Sequence, residues 1–329
     1  MKKSLHPEVS ILLPVHGDIS FLYQTIDSVI RQTFVDFELI VINDRLDDHQ
    51  VKKVSQLIAS DKRCRLVTSQ GFGLVSALNT GLELSLGSFI ARIDSDDIML
   101  PNRLEAQLNF LKSHPDVAVV GSQMIFIDAN NSKIGKSRYP TTSSDIVRTL
   151  TFQNCVGHPT VMFRKIEVMN VGSYVPFFQG AEDYDLWTRV SLSRKIVNLN
   201  MYLTYYRITP GQYSRQLGRK SELLSESIRY QTSYPQLFKP TLLRSFVSEG
   251  DLSNILSSFR SEVSRIDPSF VRLNRCLTNV QRYFKSVSFA DQALLILNLI
   301  ILMFLSPKVF YRMVSYNIFG KFTSFFERL

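Results

Sequence analysis

The chain has 329 residues, about twice the ~150 expected of one domain, so one large domain or two smaller ones are expected. Its composition, 45% hydrophobic and 20% charged with no fixed-period repeat, excludes general disorder and collagen-like or solenoid architecture. The net charge of +9 is uneven: residues 1–214 hold 22 Lys and Arg against 21 Asp and Glu, whereas residues 215–329 hold 16 against 8.

The apolar run Val9–Val15, closed by His16-Gly17-Asp18, predicts a buried strand and a turn. Ser20 is the expected cap of a helix through Leu22, Ile26, Val29 and Ile30, which recur at three- to four-residue spacing. Phe37–Ile42 is a second buried strand ending at Asn43-Asp44, followed by a polar helix to about Ser60. Arg65–Thr68 is a weaker third strand and leads into Gly71-Phe72-Gly73. Helical spacing returns from Leu74 to Leu84, and Phe89–Ile93 is a fourth strand. Continuous apolar strands alternating with helices predict an α/β fold whose mostly parallel sheet is covered on both faces. Ligands of such sheets bind at the carboxyl ends of the strands, where this chain places His16, Asp44, and Asp94-Ser95-Asp96-Asp97.

Asp94, Asp96 and Asp97 fall within four residues. Close carboxylates repel, and a hard divalent cation with oxygen ligands, Mg²⁺ or Mn²⁺, would remove that conflict and neutralise a departing diphosphate. A solvated turn, with one Asp capping a helix near Pro101, is the plainer alternative, and Asp183-Tyr184-Asp185 has the same spacing. Gly71 and Gly73 suit a phosphate-approaching loop without completing a dinucleotide fingerprint, and no P-loop is present. Asp44 can equally be the polar start of a loop, Glu182-Asp183 an acidic helix start, and His158 a turn histidine fixed by Pro159.

The segments SILLPVHG (10–17), SVIRQTFVDFELIVINDRLDD (28–48), GLVSALNTGLELSLGSFIARIDSDDIMLPNRLE (73–105), GHPTVMFRK (157–165) and AEDYDLW (181–187) occur in an order that resembles the family 2 glycosyltransferases of the GT-A fold, especially bacterial enzymes of surface-polysaccharide assembly. The resemblance covers roughly residues 8–214. It implies a nucleotide-sugar-binding half over 1–110 and an acceptor-side half over 111–214. Pro14, Val15 and His16 would lie beside the nucleotide base, Asp44 would accept a hydrogen bond from uracil, and Gly73 would approach the donor. Asp94 would face ribose and metal, and Asp96 would be the main metal ligand. Asp183 matches the general base of an inverting transfer, with Glu182 orienting it or touching the acceptor. The implied donor is a UDP-sugar, and the implied acceptor a growing or lipid-linked glycan. Asn43, Arg45, Leu78 and Thr209 depart from the family's usual residues, which keeps open a partner protein of the same fold that has lost turnover. A nucleotidyltransferase is disfavoured because His16-Gly17-Asp18 replaces the Gly-rich basic loop that such enzymes carry after the first strand. No Gln-x-x-Arg-Trp segment appears, so a processive membrane-spanning synthase is not expected.

Residues 215–329 are expected to form a basic helical region. Gln292–Pro307 is uncharged, but its sixteen residues reach only about 24 Å as a helix, short of a ~30 Å hydrocarbon core. The following 309–326 stretch mixes seven aromatics with Arg312 and Lys321, flanked by Lys308 and Arg328, which suits attachment to an anionic membrane surface. A helical cap or dimer contact is the alternative, and nucleic acid is not expected as a partner. With no signal-peptide pattern and the three unpaired-looking cysteines Cys64, Cys155 and Cys276, the expected place is the cytoplasm, on the inner face of the plasma membrane.

Overall fold

The computed structural model describes residues 6–209 and 218–233. Two compact units divide the chain, Met1–Ser221 and Glu222–Leu329. The expectations for Gln292–Pro307 and for residues 309–326 lie outside the described residues.

The first unit opens with β1 (Val9–Val15), α1 (Leu22–Ile30), β2 (Phe37–Asn43), α2 (Asp48–Ile58), β3 (Cys64–Thr68), α3 (Leu74–Leu84) and β4 (Phe89–Arg92). Every residue of β1, β2 and β4 is buried, as strands covered on both faces must be, while β3 lies half-exposed at the edge. β1 pairs in parallel with β2 on one side and β4 on the other, so Ile11 lies opposite both Leu39 and Ala91. The chain therefore steps outward from β1 through β2 to β3 and returns to β4 across β1. That reversal opens a crevice at the carboxyl ends of the strands. Gly81 lets α3 pack closely on the face of the sheet: a Cβ there would come within 2.7 Å of Ile42 in β2 and 2.9 Å of Leu12 in β1.

The sheet continues through β5 (Ile98–Met99), β6 (Val117–Ile127), β7 (Lys133–Lys136), β8 (Met162–Arg164) and β9 (Lys195–Arg207), in the order β3-β2-β1-β4-β8-β6-β9-β5 with β7 on β6. β8 and β5 run antiparallel to their neighbours, and β6 and β9 pair in parallel. The intervening helices are α4 (Arg103–Ser113), α5 (Ser143–Leu150), α6 (Lys165–Asn170) and α7 (Glu182–Ser191); α8 (Gly218–Ser233) follows.

The expected cap of α1 differs, and the alternative role of the acidic turn as a helix cap is not seen. Ser20 does not cap α1, because its amide and hydroxyl both donate to Asp18, and Phe21 holds the N-cap position without a side-chain bond. No Asp of the acidic turn caps α4, whose N-cap is Asn102. Asp97 is drawn inward instead, where its Oδ1 accepts the Arg207 amide at 2.8 Å. Among the described residues no helix is long and apolar enough to cross a membrane.

Candidate active site

The ends of β1, β2 and β4 bring the expected donor-side residues together. Pro14 and Val15 are buried in β1, opposite Ile42 and Asn43, and back the crevice rather than line it. His16 is exposed just beyond them, with its Nδ1 2.7 Å from the Asp44 carbonyl and 3.6 Å from Asp44 Oδ2. Asp44 itself is 3% exposed, and its Oδ1 accepts the Gly73 amide at 3.1 Å. Gly73 has φ +85°, a backbone conformation that favours glycine, and its Cα lies close against the Gln179 side chain. Two sequence departures have structural reasons. Asn43 Oδ1 accepts the Leu46 amide at 2.7 Å and shapes the turn after β2, and Leu78 is wholly buried in α3.

The acidic turn after β4 is held from two sides. Thr25 Oγ1 donates to the carbonyls of Ser95 and Asp97, while Arg207 Nε donates to the carbonyl of Asp96. The three carboxylates have different fates. Both oxygens of Asp94 meet the guanidinium of Arg92, Oδ2 at 2.6 Å from Nη1 and Oδ1 with Nη2. Asp97 is fully buried; burial first, then the charges of Asp94 and Asp96, push its carboxyl well above the usual range. Asp96 stays half-buried, and burial followed by the Asp94 charge pushes it up to about 6.

Among the described residues no three carboxylate, imidazole or thiolate groups converge as a metal-binding set. The oxygen-only donors at Asp96 nevertheless fit a hard cation. A carboxyl kept partly protonated by desolvation and a neighbouring charge is relieved by a cation, and Mg²⁺ commonly takes one or two carboxylates with the rest of its shell from substrate phosphates and water.

Glu182 and Asp183 open α7, where acidic side chains interact favourably with the helix N-terminus. Asp183 is half-buried, and its Oδ2 accepts from Asn154 Nδ2 at 2.7 Å. Burial pushes its carboxyl above the usual range, opposed by the Tyr184 amide, Arg92 and Asn154. Glu182 is 6% exposed and its Oε2 accepts the Gly180 amide at 2.6 Å; burial, then the Asp183 charge, push its pKa up to about 7. Asp185 belongs elsewhere, since its Oδ2 pairs with Arg189 at 2.6 Å one helical turn on. His158 is buried in the 3₁₀ turn 158–160, with Nε2 2.9 Å from Tyr174 Oη and Nδ1 3.8 Å from Glu182 Oε1. Burial, then Arg92, hold it well below the ordinary histidine pKa, so it is a neutral imidazole.

Arg92 joins the two acidic groups. Its side chain is nearly inaccessible, and burial works against its charge, but Asp94, Tyr174 and Glu182 more than offset this and hold its pKa above the ordinary value. The guanidinium that clasps Asp94 thus also acts electrostatically on Glu182 and Asp183, about ninety residues later in the chain. Sequence reasoning passed over Arg92 and Asn154. A charged residue inside an otherwise apolar strand was the available signal for Arg92, because a buried charge requires a partner; Asn154 carried none.

An acidic turn at the switch point of a mostly parallel sheet, clasped by a buried arginine whose charge also acts on a second acidic pair, fits a GT-A-type nucleotide-sugar transferase architecture. The solved structures agree on the fold. Staphylococcus aureus TarS 1–349 in complex with UDP-GlcNAc superposes with a TM-score of 0.57 at 17% identity, over 84% of this chain and 92% of that one. The mannosyltransferase PcManGT from Pyrobaculum calidifontis in complex with GDP-Man and Mn²⁺ gives 0.54 at 14% identity, over 96% and 87%. The glycosyl transferase family 2 profile matches residues 10–168. The O-antigen biosynthesis glycosyltransferase WbnJ of Escherichia coli is 33% identical over 225 residues, 67% of this chain and 87% of WbnJ. The UDP-Glc:alpha-D-GlcNAc-diphosphoundecaprenol beta-1,3-glucosyltransferase WfgD of Escherichia coli is 31% identical over 228 residues, 67% and 86%. The chain belongs to glycosyl transferase family 2, and it is a glycosyltransferase.

Proposed function

We propose that the protein transfers a single hexosyl or N-acetylhexosaminyl residue from a UDP-sugar to a hydroxyl of a lipid-linked or growing surface glycan, with inversion at the anomeric carbon. The observation that carries this reading is that buried Arg92 clasps both oxygens of Asp94 in the donor-side turn while its charge also acts on Glu182 and Asp183 at the start of α7. Asp44 would take the nucleobase edge, and Gly73 would keep the loop over the diphosphate open. Asp183 would accept the proton of the acceptor hydroxyl as its oxygen attacks the anomeric carbon and the bond to the diphosphate breaks. Its desolvated carboxylate is a stronger base than a free aspartate, and the Asn154 amide aims one of its oxygens. A divalent cation held at Asp96 would supply charge neutralisation to the departing diphosphate; Asp94, expected from the sequence as a second ligand, has both oxygens on Arg92 and would have to exchange that partner to reach the cation. Arg92 keeps Asp94 in place and tempers the repulsion between the two acidic groups. The names of WbnJ and WfgD support a role in surface-polysaccharide assembly on a lipid carrier. A carrier of that kind, together with the basic and aromatic residues 308–328, supports peripheral attachment to an anionic inner leaflet.

Melting curves with Mn²⁺ and a panel of UDP-sugars test the donor side. At least one donor should raise the melting temperature in the presence of Mn²⁺, and Asp96→Ala should remove the metal-dependent part of the shift. A chain whose stability no nucleotide sugar alters would contradict the reading.

A further inference from the structure

Asp44 is approached by planar side chains from separate elements. His16 reaches it from the end of β1, and Phe72 immediately precedes Gly73, whose amide bonds Asp44 Oδ1. Arg45, the next residue after Asp44, adopts φ +65°, a left-handed conformation that a non-glycine residue rarely takes. That turn sends its guanidinium over the Phe72 ring, with Cζ 3.6 Å from the ring centroid. Phe72 is nonetheless 72% exposed, so one face of the ring rests on the cation and the rest remains open to solvent. An unusual backbone conformation, a cation stacked beneath an aromatic ring and an uncovered ring beside a buried carboxylate all meet at the carboxyl end of β2. Strain of this kind persists where surrounding structure enforces it, and it gathers at ligand sites.

We infer that Phe72, backed by Arg45, is the stacking platform for the donor's nucleobase. A base lying on Phe72 would present its polar edge to Asp44, while the Arg45 guanidinium steadies the ring from behind. Every base has a π-face, so the platform supplies affinity, and the Asp44 carboxylate supplies discrimination by hydrogen bonding. This assignment rests on the donor-binding reading above and adds to it the residues that grip the nucleoside.

Calorimetric titration of the full chain with UMP and UDP tests it. Phe72→Ala should weaken both ligands by roughly five- to a hundredfold, the range for loss of one base-aromatic stack. Phe72→Tyr should restore affinity, and Arg45→Gly should weaken both ligands less than Phe72→Ala does. Because Phe72 is exposed, the two Phe72 variants should melt as the unaltered chain does. Unchanged UMP affinity in Phe72→Ala would overturn the inference while leaving the transferase reading intact. A loss confined to UDP would also overturn it, since the contact would then be to phosphate. Failure of the unaltered chain to bind either nucleotide would overturn the donor reading as well.

Discussion

Glu182→Gln should stabilise the protein, and only at neutral and higher pH. In the unfolded chain the carboxyl titrates near 4.5, whereas in the folded chain burial and the Asp183 charge push it up to about 7. Between those values the folded state holds a proton that the unfolded state has released, so stability falls as pH rises through that window and levels off above it. The shift corresponds to about 3 kcal/mol at roughly 1.4 kcal/mol per pH unit. Glutamine keeps the neutral shape, and its carbonyl oxygen can still accept the Gly180 amide that now bonds Oε2. Denaturant melts at pH 4.5 and pH 8 should show near-equal stability at the first and a gain of about 3 kcal/mol for the variant at the second. For a domain of this size that gain amounts to about 6–12 °C in melting temperature. Equal destabilisation at both pH values would refute the reasoning, because it would mean that the folded site holds the carboxylate in its charged form.

Asn154→Ala should lower the transfer rate roughly ten- to a hundredfold, the value of a hydrogen bond to a charged group. It should also move the acid limb of the pH profile upward, because the Asn154 bond is one of the interactions opposing the rise in Asp183 pKa; a lowered rate with an unmoved profile would assign Asn154 a purely structural role. The full chain should sediment with vesicles containing anionic lipid and less so as salt is raised or when Lys308, Arg312 and Lys321 are changed to Gln; equal binding to neutral vesicles would contradict attachment by charge.

Much of the fold was legible wherever a strand is buried along its whole length. β1 and β2 are continuous apolar runs, and the Leu74–Leu84 helix begins and ends where its spacing predicts. The short strands β5 and β8, with two and three residues, are too brief to show any period, and their places depend on pairing with β9 and β4. The Ser20 cap is lost for a local reason, because Asp18 competes for its hydroxyl, and the alternative of an Asp capping the helix near Pro101 fails for a distant one, because Asp97 accepts a backbone amide 110 residues away. In the site, polar residues just past strand ends were visible because the rule for open α/β sheets says where to look. What could not be seen was which acid answers to which base. Asp94, Asp96 and Asp97 look alike in sequence, yet one is clasped by Arg92, one is buried, and one remains half-exposed. The departure at Asn43 likewise had no reading until the Leu46 amide was seen to need an acceptor.

The direct test of the catalytic reading is release of UDP from a competent UDP-sugar by the unaltered chain and by Asp183→Asn, with UDP affinity measured alongside. Loss of a positioned proton acceptor should slow release by at least about a hundredfold while nucleotide affinity stays the same. An Asp183→Asn protein that turns over at the unaltered rate would show that the proton goes elsewhere, and the assignment of Asp183 would fall.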